Sequence, residues 1–158
     1  SNTTSLNSKV SQLSNGQDGV SVSNTLTITP SYSQLITANT YSSNDVVDLM
    51  FRATSASAKS SASTLYLYVN SIDSVAGATQ IGIFTSTGRT LVIARRLAVK
   101  GASTRVPTST LSASDGELLS GNMTLLSIDW TVNQFIIFAI GHSVADQTLT
   151  GDYFKITK

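Results

Sequence analysis

Residues 45–54 read Asp-Val-Val-Asp-Leu-Met-Phe-Arg-Ala-Thr. In an extended chain Val47, Leu49, Phe51 and Ala53 fall on one side, and Val46, Asp48, Met50 and Arg52 on the other. Period two of this kind marks a half-buried β-strand. The pattern recurs along the chain. Over 64–71, Leu65, Leu67 and Val69 alternate with Tyr66, Tyr68 and Asn70. A short strand is expected at 80–85, ending in the turn Ser86-Thr87-Gly88-Arg89, and a long one at 90–100, closed by Gly101. Further strands are expected at 123–128, 132–140 and 149–157. The run 132–140 is apolar on both faces, so it belongs deep in a sheet or between chains. Upstream, Val20, Val22, Leu26 and Ile28 alternate with polar residues until Pro30, which should stop the run. The Ser/Ala-rich stretch 55–63, with Lys59 inside it, reads as a mobile loop. About eight to ten short strands, with turn signals roughly every 8–15 residues, imply an all-β antiparallel β-sandwich, jelly-roll-like, over residues 16–158.

Helical signal is confined to residues 1–15, where Thr3, Leu6, Val10 and Leu13 follow the 3-4-3 spacing of a coiled-coil stripe and stop at Asn15-Gly16. Isolated helices shorter than about 12–15 residues are marginal in water, so this short N-terminal coiled-coil helix needs partner chains. Leu6, Val10 and Leu13 are the expected contacts between copies. A Thr/Val and Leu alternation leaves dimer and trimer both open. With no initiator Met and a start inside a heptad pattern, the chain reads as the C-terminal part of a longer one, with Ser1-Asn2 as a tag remnant.

The 158 residues suffice for one domain plus the stub. Hydrophobic residues make up 41%, enough for a core, but charged residues only 12%, half the usual share of about 25%. Ser and Thr fill the gap and leave a polar, weakly charged surface suited to an extracellular or virion setting. A net charge of +1 weighs against nucleic acid, whose binding is dominated by phosphate neutralisation. There is no Cys, hence neither a disulfide framework nor a thiolate metal site. No apolar run approaches the about 18–20 residues of a membrane span, so no membrane insertion is expected.

Titratable groups are scarce. His142 is the only His, Glu117 the only Glu, and no spacing singles out a working pair among the Asp residues. Gly141-His142-Ser143-Val144-Ala145 is like a nucleophile elbow without its last Gly, and reads as a loop histidine. Asp115-Gly116-Glu117 is too short for an EF-hand loop, and one His cannot build a zinc site. The expectation is therefore no enzyme, no cofactor and no metal, apart from a cation that Asp or carbonyl oxygens could hold on a three-fold axis.

Charge and aromatic residues supply the candidate sites. Arg89, Arg95, Arg96, Lys100 and Arg105 form a basic stretch with no acid between Asp73 and Asp115. Arg95 falls on the same strand face as Leu91, Ile93, Leu97 and Val99. Burying it without a partner would cost several kcal/mol, so a carboxylate such as Asp129, from this chain or a neighbour, is expected, or a bulge that turns it out. Arg89 and Arg96 are candidates to grip an anionic glycan through their planar fork. Tyr66 and Tyr68 share one strand face and are candidates for stacking on sugar rings or for packing between subunits. Trp130, the single Trp, is expected in core or subunit-interface packing, and Arg95 at a subunit interface or in an intrachain ion pair.

The end of the chain is distinctive. Asp129-Trp130-Thr131-Val132-Asn133-Gln134-Phe135-Ile136-Ile137-Phe138-Ala139-Ile140 runs into Gly141-His142-Ser143-Val144-Ala145-Asp146-Gln147-Thr148 and closes on Gly151-Asp152-Tyr153-Phe154-Lys155-Ile156-Thr157-Lys158. An apolar strand, a polar Asp-Gln-Thr turn and a closing strand, behind a heptad stub, resemble the C-terminal heads of bacteriophage fibre and receptor-binding proteins. The resemblance implies a homotrimeric fibre tip, assembled in the host cytoplasm and exposed on the virion. It also implies attachment to other virion proteins through the stalk and binding to a host-cell glycan. Alternatives are a purely structural tip or head fibre that drives trimerisation, a polysaccharide depolymerase fragment, and a bacterial adhesin domain.

Overall fold

The computed structural model describes residues 14–107 and 123–158, and these contain eleven strands and no helix. In chain order they are β1 (Ser14–Gln17), β2 (Ser21–Ser23), β3 (Thr29–Ile36), β4 (Val46–Thr54), β5 (Ser63–Asn70) and β6 (Thr79–Ser86). There follow β7 (Thr90–Lys100), β8 (Ser103–Pro107), β9 (Met123–Ser127), β10 (Gln134–His142) and β11 (Thr148–Thr157). One sheet of seven strands has the order β1-β11-β4-β7-β8-β9, with β2 also on the free edge of β11. The second has four strands in the order β3-β10-β5-β6. Every pairing is antiparallel.

The two sheets face each other across one core. Val47, Leu49 and Phe51 of β4, Leu91 and Ile93 of β7, and Phe154 and Ile156 of β11 meet Leu65 and Leu67 of β5 and Ile136, Phe138 and Ile140 of β10. Each such side chain contributes about 1.5–3 kcal/mol when fully buried. The inward residues of β4 and β5 are those the period-two pattern assigns inward. β10 lies between β3 and β5 and is covered on both sides, which accounts for its apolar run. At the centre the Tyr32 ring meets Phe51, Phe138 and Phe154 edge-on. Its hydroxyl accepts from Gly19 N and donates to Gly151 O, pinning the chain before β2 to a bulge in β11. A Cβ on Gly151 would collide with Ser31 Oγ and the Tyr32 ring, so this crossing admits only glycine.

Three sequence expectations change. Pro30 does not stop a strand; it is the second residue of β3. β3 is an edge strand with a register shift opposite Phe138/Ala139, and an edge position tolerates the missing N–H. The stub was expected to run through residue 15, but Ser14 and Asn15 already pair with Ile156 and Lys155 in β1. Gly16 is therefore no helix stop. It sits against Phe154, whose ring occupies the place of a Cβ. Leu6, Val10 and Leu13 lie outside the described residues.

The loop 55–62 is not loose. Lys59 donates to Ser86 O at 3.0 Å, Arg89 to Ala56 O at 2.6 Å, and Ser143 Oγ to Ala62 O at 2.8 Å. Burial holds the Lys59 ammonium below its ordinary pKa. Cationic side chains and hydroxyls here satisfy carbonyls that a low-complexity loop would otherwise leave to water.

Candidate functional site

Loops from both sheets gather at two opposite ends. At one end the only histidine acts as a strut. His142 Nε2–H donates to Val22 O at 2.8 Å, so Nδ1 accepts from Ser63 Oγ at 2.9 Å. This resembles a serine–histidine pair in chemistry but not in access, since both residues are buried. Ser63 has no route to a substrate, and the pair ties the start of β5 to β2 and the end of β10.

The other end carries a half-open cleft of about 590 Å³. Its sides are the β3–β4 connection (Asn39, Tyr41, Ser42, Ser43), the β7–β8 turn (Gly101, Ala102) and the β9–β10 connection (Ser127 to Thr131). The base is aromatic: Tyr41 and Trp130 meet edge-on with ring centroids 5.0 Å apart. Trp130 Nε1 donates to the buried Thr104 hydroxyl at 2.9 Å, so the indole cannot swing out without losing that bond. Burial drives the Tyr41 hydroxyl pKa far above its ordinary value, with the Asp45 charge adding to it.

The rim is held by short local bonds. Asn39 N donates to Trp130 O at 2.7 Å, and Asn39 and Asn44 both adopt left-handed backbone, with φ 63° and 77°. Asn tolerates that region better than most residues. Asp129 accepts from the Thr131 hydroxyl and backbone N–H, and those two bonds, the hydroxyl first, hold its carboxyl below the usual range. Behind the rim, Asp45 pairs with Lys158 at 2.7 Å and accepts from Ser42 N. Burial pushes the Asp45 carboxyl up, but these donors outweigh it and its pKa is lowered. The outcome is a pre-formed concavity with a ring-lined floor and a rim of hydroxyl, amide and one carboxylate. Tyr41 and Trp130 are themselves buried, so the site meets a ligand chiefly through its rim and can exchange hydrogen bonds with hydroxyls.

The residues singled out from sequence do not converge on one site. Tyr66 and Tyr68 lie on the outer face of the four-stranded sheet, stacked with centroids 5.6 Å apart and planes 10° from parallel. Tyr68 is buried there against Ile137 and Ala139. Arg89 belongs to the opposite end from the cleft and donates to Ser55 O and Ala56 O. Arg96 projects from the outer face of the seven-stranded sheet and forms a two-bond fork on Asp48, at 2.7 and 3.1 Å. These four candidates occupy three separate surfaces, and the guanidiniums of Arg89 and Arg96 hold this chain's own oxygens.

Arg95 and Trp130, named as candidate interface residues, are only 3% and 5% accessible within the single chain, and Trp130 packs in its core. Arg95 is buried, and no bulge turns it out, because the β4–β7 register is continuous. Its guanidinium donates to Ala94 O and Ile83 O, while Asp129 serves Thr131. Sequence reading passed over Tyr41 and its loop. The available signal was the pair Asn39 and Asn44 bracketing one aromatic residue in Asn-Thr-Tyr-Ser-Ser-Asn, a turn-rich frame around a ring.

Among the described residues no cluster of His, Asp or Glu could hold a metal ion, and no helix is long and apolar enough to cross a membrane. Comparison with family models, curated proteins and solved structures finds no match to this chain.

Proposed function

We propose that this chain is the jelly-roll-like head of a bacteriophage fibre, a virion protein that binds a host surface polysaccharide as a homotrimer. The observation that carries the binding part is the cleft: a pre-formed concavity backed by the buried Tyr41 and Trp130 rings, with hydroxyls, amides and the Asp129 carboxylate on its rim, suits a neutral polyhydroxylated ligand better than an anionic or fully apolar one. The head acts by binding rather than by chemistry, consistent with its one histidine being a buried strut. Chain order supports the jelly-roll reading, because the path changes sheet at β2–β3, β3–β4, β4–β5, β6–β7, β9–β10 and β10–β11. Three heads on a stalk would multiply weak single contacts.

The test is binding of the full chain to an array of bacterial surface polysaccharides. Ala102→Trp, which fills the cleft mouth, is expected to lower binding at least tenfold with the circular dichroism unchanged. Loss on Tyr66→Ala with Ala102→Trp silent would move the site to the stacked tyrosines. No binding by the unaltered chain would refute a receptor role. A purely structural tip is the second reading, favoured by Arg89, Arg96 and Tyr68 being engaged within the chain. It predicts trimers and no glycan binding.

A further inference from the structure

Asp45 and Asp129 both belong to the cleft end of the molecule, and the chain treats them differently. Asp45, behind the rim, has its own cation. Lys158 Nζ lies 2.7 Å from Asp45 Oδ2 and also donates to Thr40 O at 3.1 Å. Ser42 gives the same oxygen its backbone N–H at 2.7 Å and its hydroxyl at 3.2 Å. The Asp45 charge is thus neutralised within the chain, and it ties down the loop that carries Tyr41.

Asp129 lines the cleft itself, and among the described residues no Lys or Arg pairs with it. It is nevertheless fixed in place. The buried Gln134 donates to the Asp129 carbonyl at 2.8 Å. The Thr131 N–H and hydroxyl both converge on one carboxylate oxygen, Oδ1. A carboxylate has about four acceptor positions, and Thr131 takes two of them, both on Oδ1. Oδ2 accepts no hydrogen bond from the described residues, and Asp129 is exposed.

We infer that Asp129 is the specificity-determining residue of the cleft: its Oδ2 accepts from a ligand hydroxyl, and its unneutralised charge turns away glycans that carry uronate or phosphate groups. The inference rests on the cleft being the binding site and adds which residue selects the ligand. The rest of the rim agrees. No cationic side chain lines the cleft, so nothing there offsets a ligand anion. Lys158 is committed to Asp45 and Thr40, and Lys100, just before the Gly101 turn, is exposed on the side of β7 opposite the inward Val99. Ser43 Oγ accepts from Gly101 N at 3.1 Å, which leaves its proton to donate. An acceptor on the β9–β10 side and a hydroxyl on the β3–β4 side suit a ligand whose own hydroxyls both give and take hydrogen bonds. The two Thr131 bonds, the hydroxyl first, also hold the Asp129 carboxyl below its usual range and so keep it charged.

The expected effects are modest and separable. Like charges about 4 Å apart in water change an affinity about fivefold, and salt removes that effect. Loss of a hydrogen bond to the carboxylate changes affinity about tenfold whatever the salt.

Binding of the full chain to neutral and to uronate- or phosphate-bearing members of a polysaccharide array, at roughly 0.01 M and 1 M salt, tests this. Asp129→Asn keeps an oxygen for Thr131 and the size of the side chain, but removes the charge and puts an amide donor at the outer position. Neutral binding is expected to fall about tenfold. Anionic binding should rise about fivefold at low salt and not at high salt, with unchanged circular dichroism. If Asp129→Asn fails to fold, Asp129→Ser decides. Thr131→Val, which frees the carboxylate but leaves its charge, should weaken neutral binding and keep the preference for neutral members. An unchanged ratio of neutral to anionic binding in Asp129→Asn, with Ala102→Trp still blocking the cleft, would overturn the role of Asp129 and leave the cleft reading intact. So would an unaltered chain that prefers the anionic members. Binding that Ala102→Trp leaves untouched would overturn the cleft and this inference together.

Discussion

On the outer face of the four-stranded sheet, Ile137 and Ala139 are fully buried; on that of the seven-stranded sheet, Val46 and Met50 stand in solvent. Strand chemistry alone does not separate them, since both faces mix aliphatic, aromatic and polar residues. The difference lies in what crosses each sheet. The 71–78 segment is long enough to return over β10, and Asn70 locks its shape by donating to Ser74 O and Ala76 O. Over β4 and β7 no comparable segment is described. Among the described residues, the chain itself covers only the outer face of the four-stranded sheet.

The largest expected effect contrasts a charge on each face. Ile137→Asp buries a carboxylate under Tyr68 and should cost at least about 4 kcal/mol or abolish folding. Ala94→Asp faces outward and should keep a cooperative urea transition, with a gap between the two of about 3 kcal/mol or more by circular dichroism. Equal effects would erase the distinction between the faces.

A smaller effect sharpens it. Ser33→Ala removes the tether from β3 to Asp73 and should destabilise by about 1 kcal/mol, with faster amide exchange confined to 71–78. Exchange unchanged there would mean that Val75 and Ala78 hold the cover without the tether.

The smallest is acid sensitivity, and it should be one-sided. Asp45, just before β4, has its carboxyl pKa lowered from the ordinary 3.8, the Lys158 and Ser42 donors outweighing its burial. A depressed carboxylate stabilises the fold fully above the unfolded value, and that contribution is lost as pH falls below about 3.8 through the folded one. Exchange at the ends of β4 and β11 should therefore rise first on acidification, before β5 and β10. Asp45→Asn should flatten that rise. Simultaneous loosening of both sheets would show that the Asp45–Lys158 pair is not what guards this end.

Much of the strand map is legible from residue alternation. β7 matches its expected bounds, and β4, β5 and β11 lie within one residue of theirs. β3 was hidden because Ser31-Tyr32-Ser33-Gln34 carries little apolar alternation and follows a proline, and its strand state comes from pairing with β10. β8 was hidden for a similar reason: Thr104 is buried as the acceptor for Trp130 and so looks polar in a strand that faces inward. The cleft was half legible. Asp129 and Trp130 stood out by type, but Tyr41 lies 89 positions from Trp130 and joins it only when the sheets close.

Local pattern settled strands β4, β5, β7 and β11 and which of their side chains face the core, because period two is imposed by backbone geometry at each residue. It also placed Arg95 on the inward face of its strand and indicated that the run around Ile137 would be covered on both sides. It could not say by what. That the Arg89 and Arg96 forks close on this chain's own carbonyls and carboxylate, that Tyr68 is covered and Met50 is not, and that Tyr41 finds Trp130, all depend on contacts between residues far apart in the chain. Those follow from strand order and from where each connection crosses, quantities with no local signature.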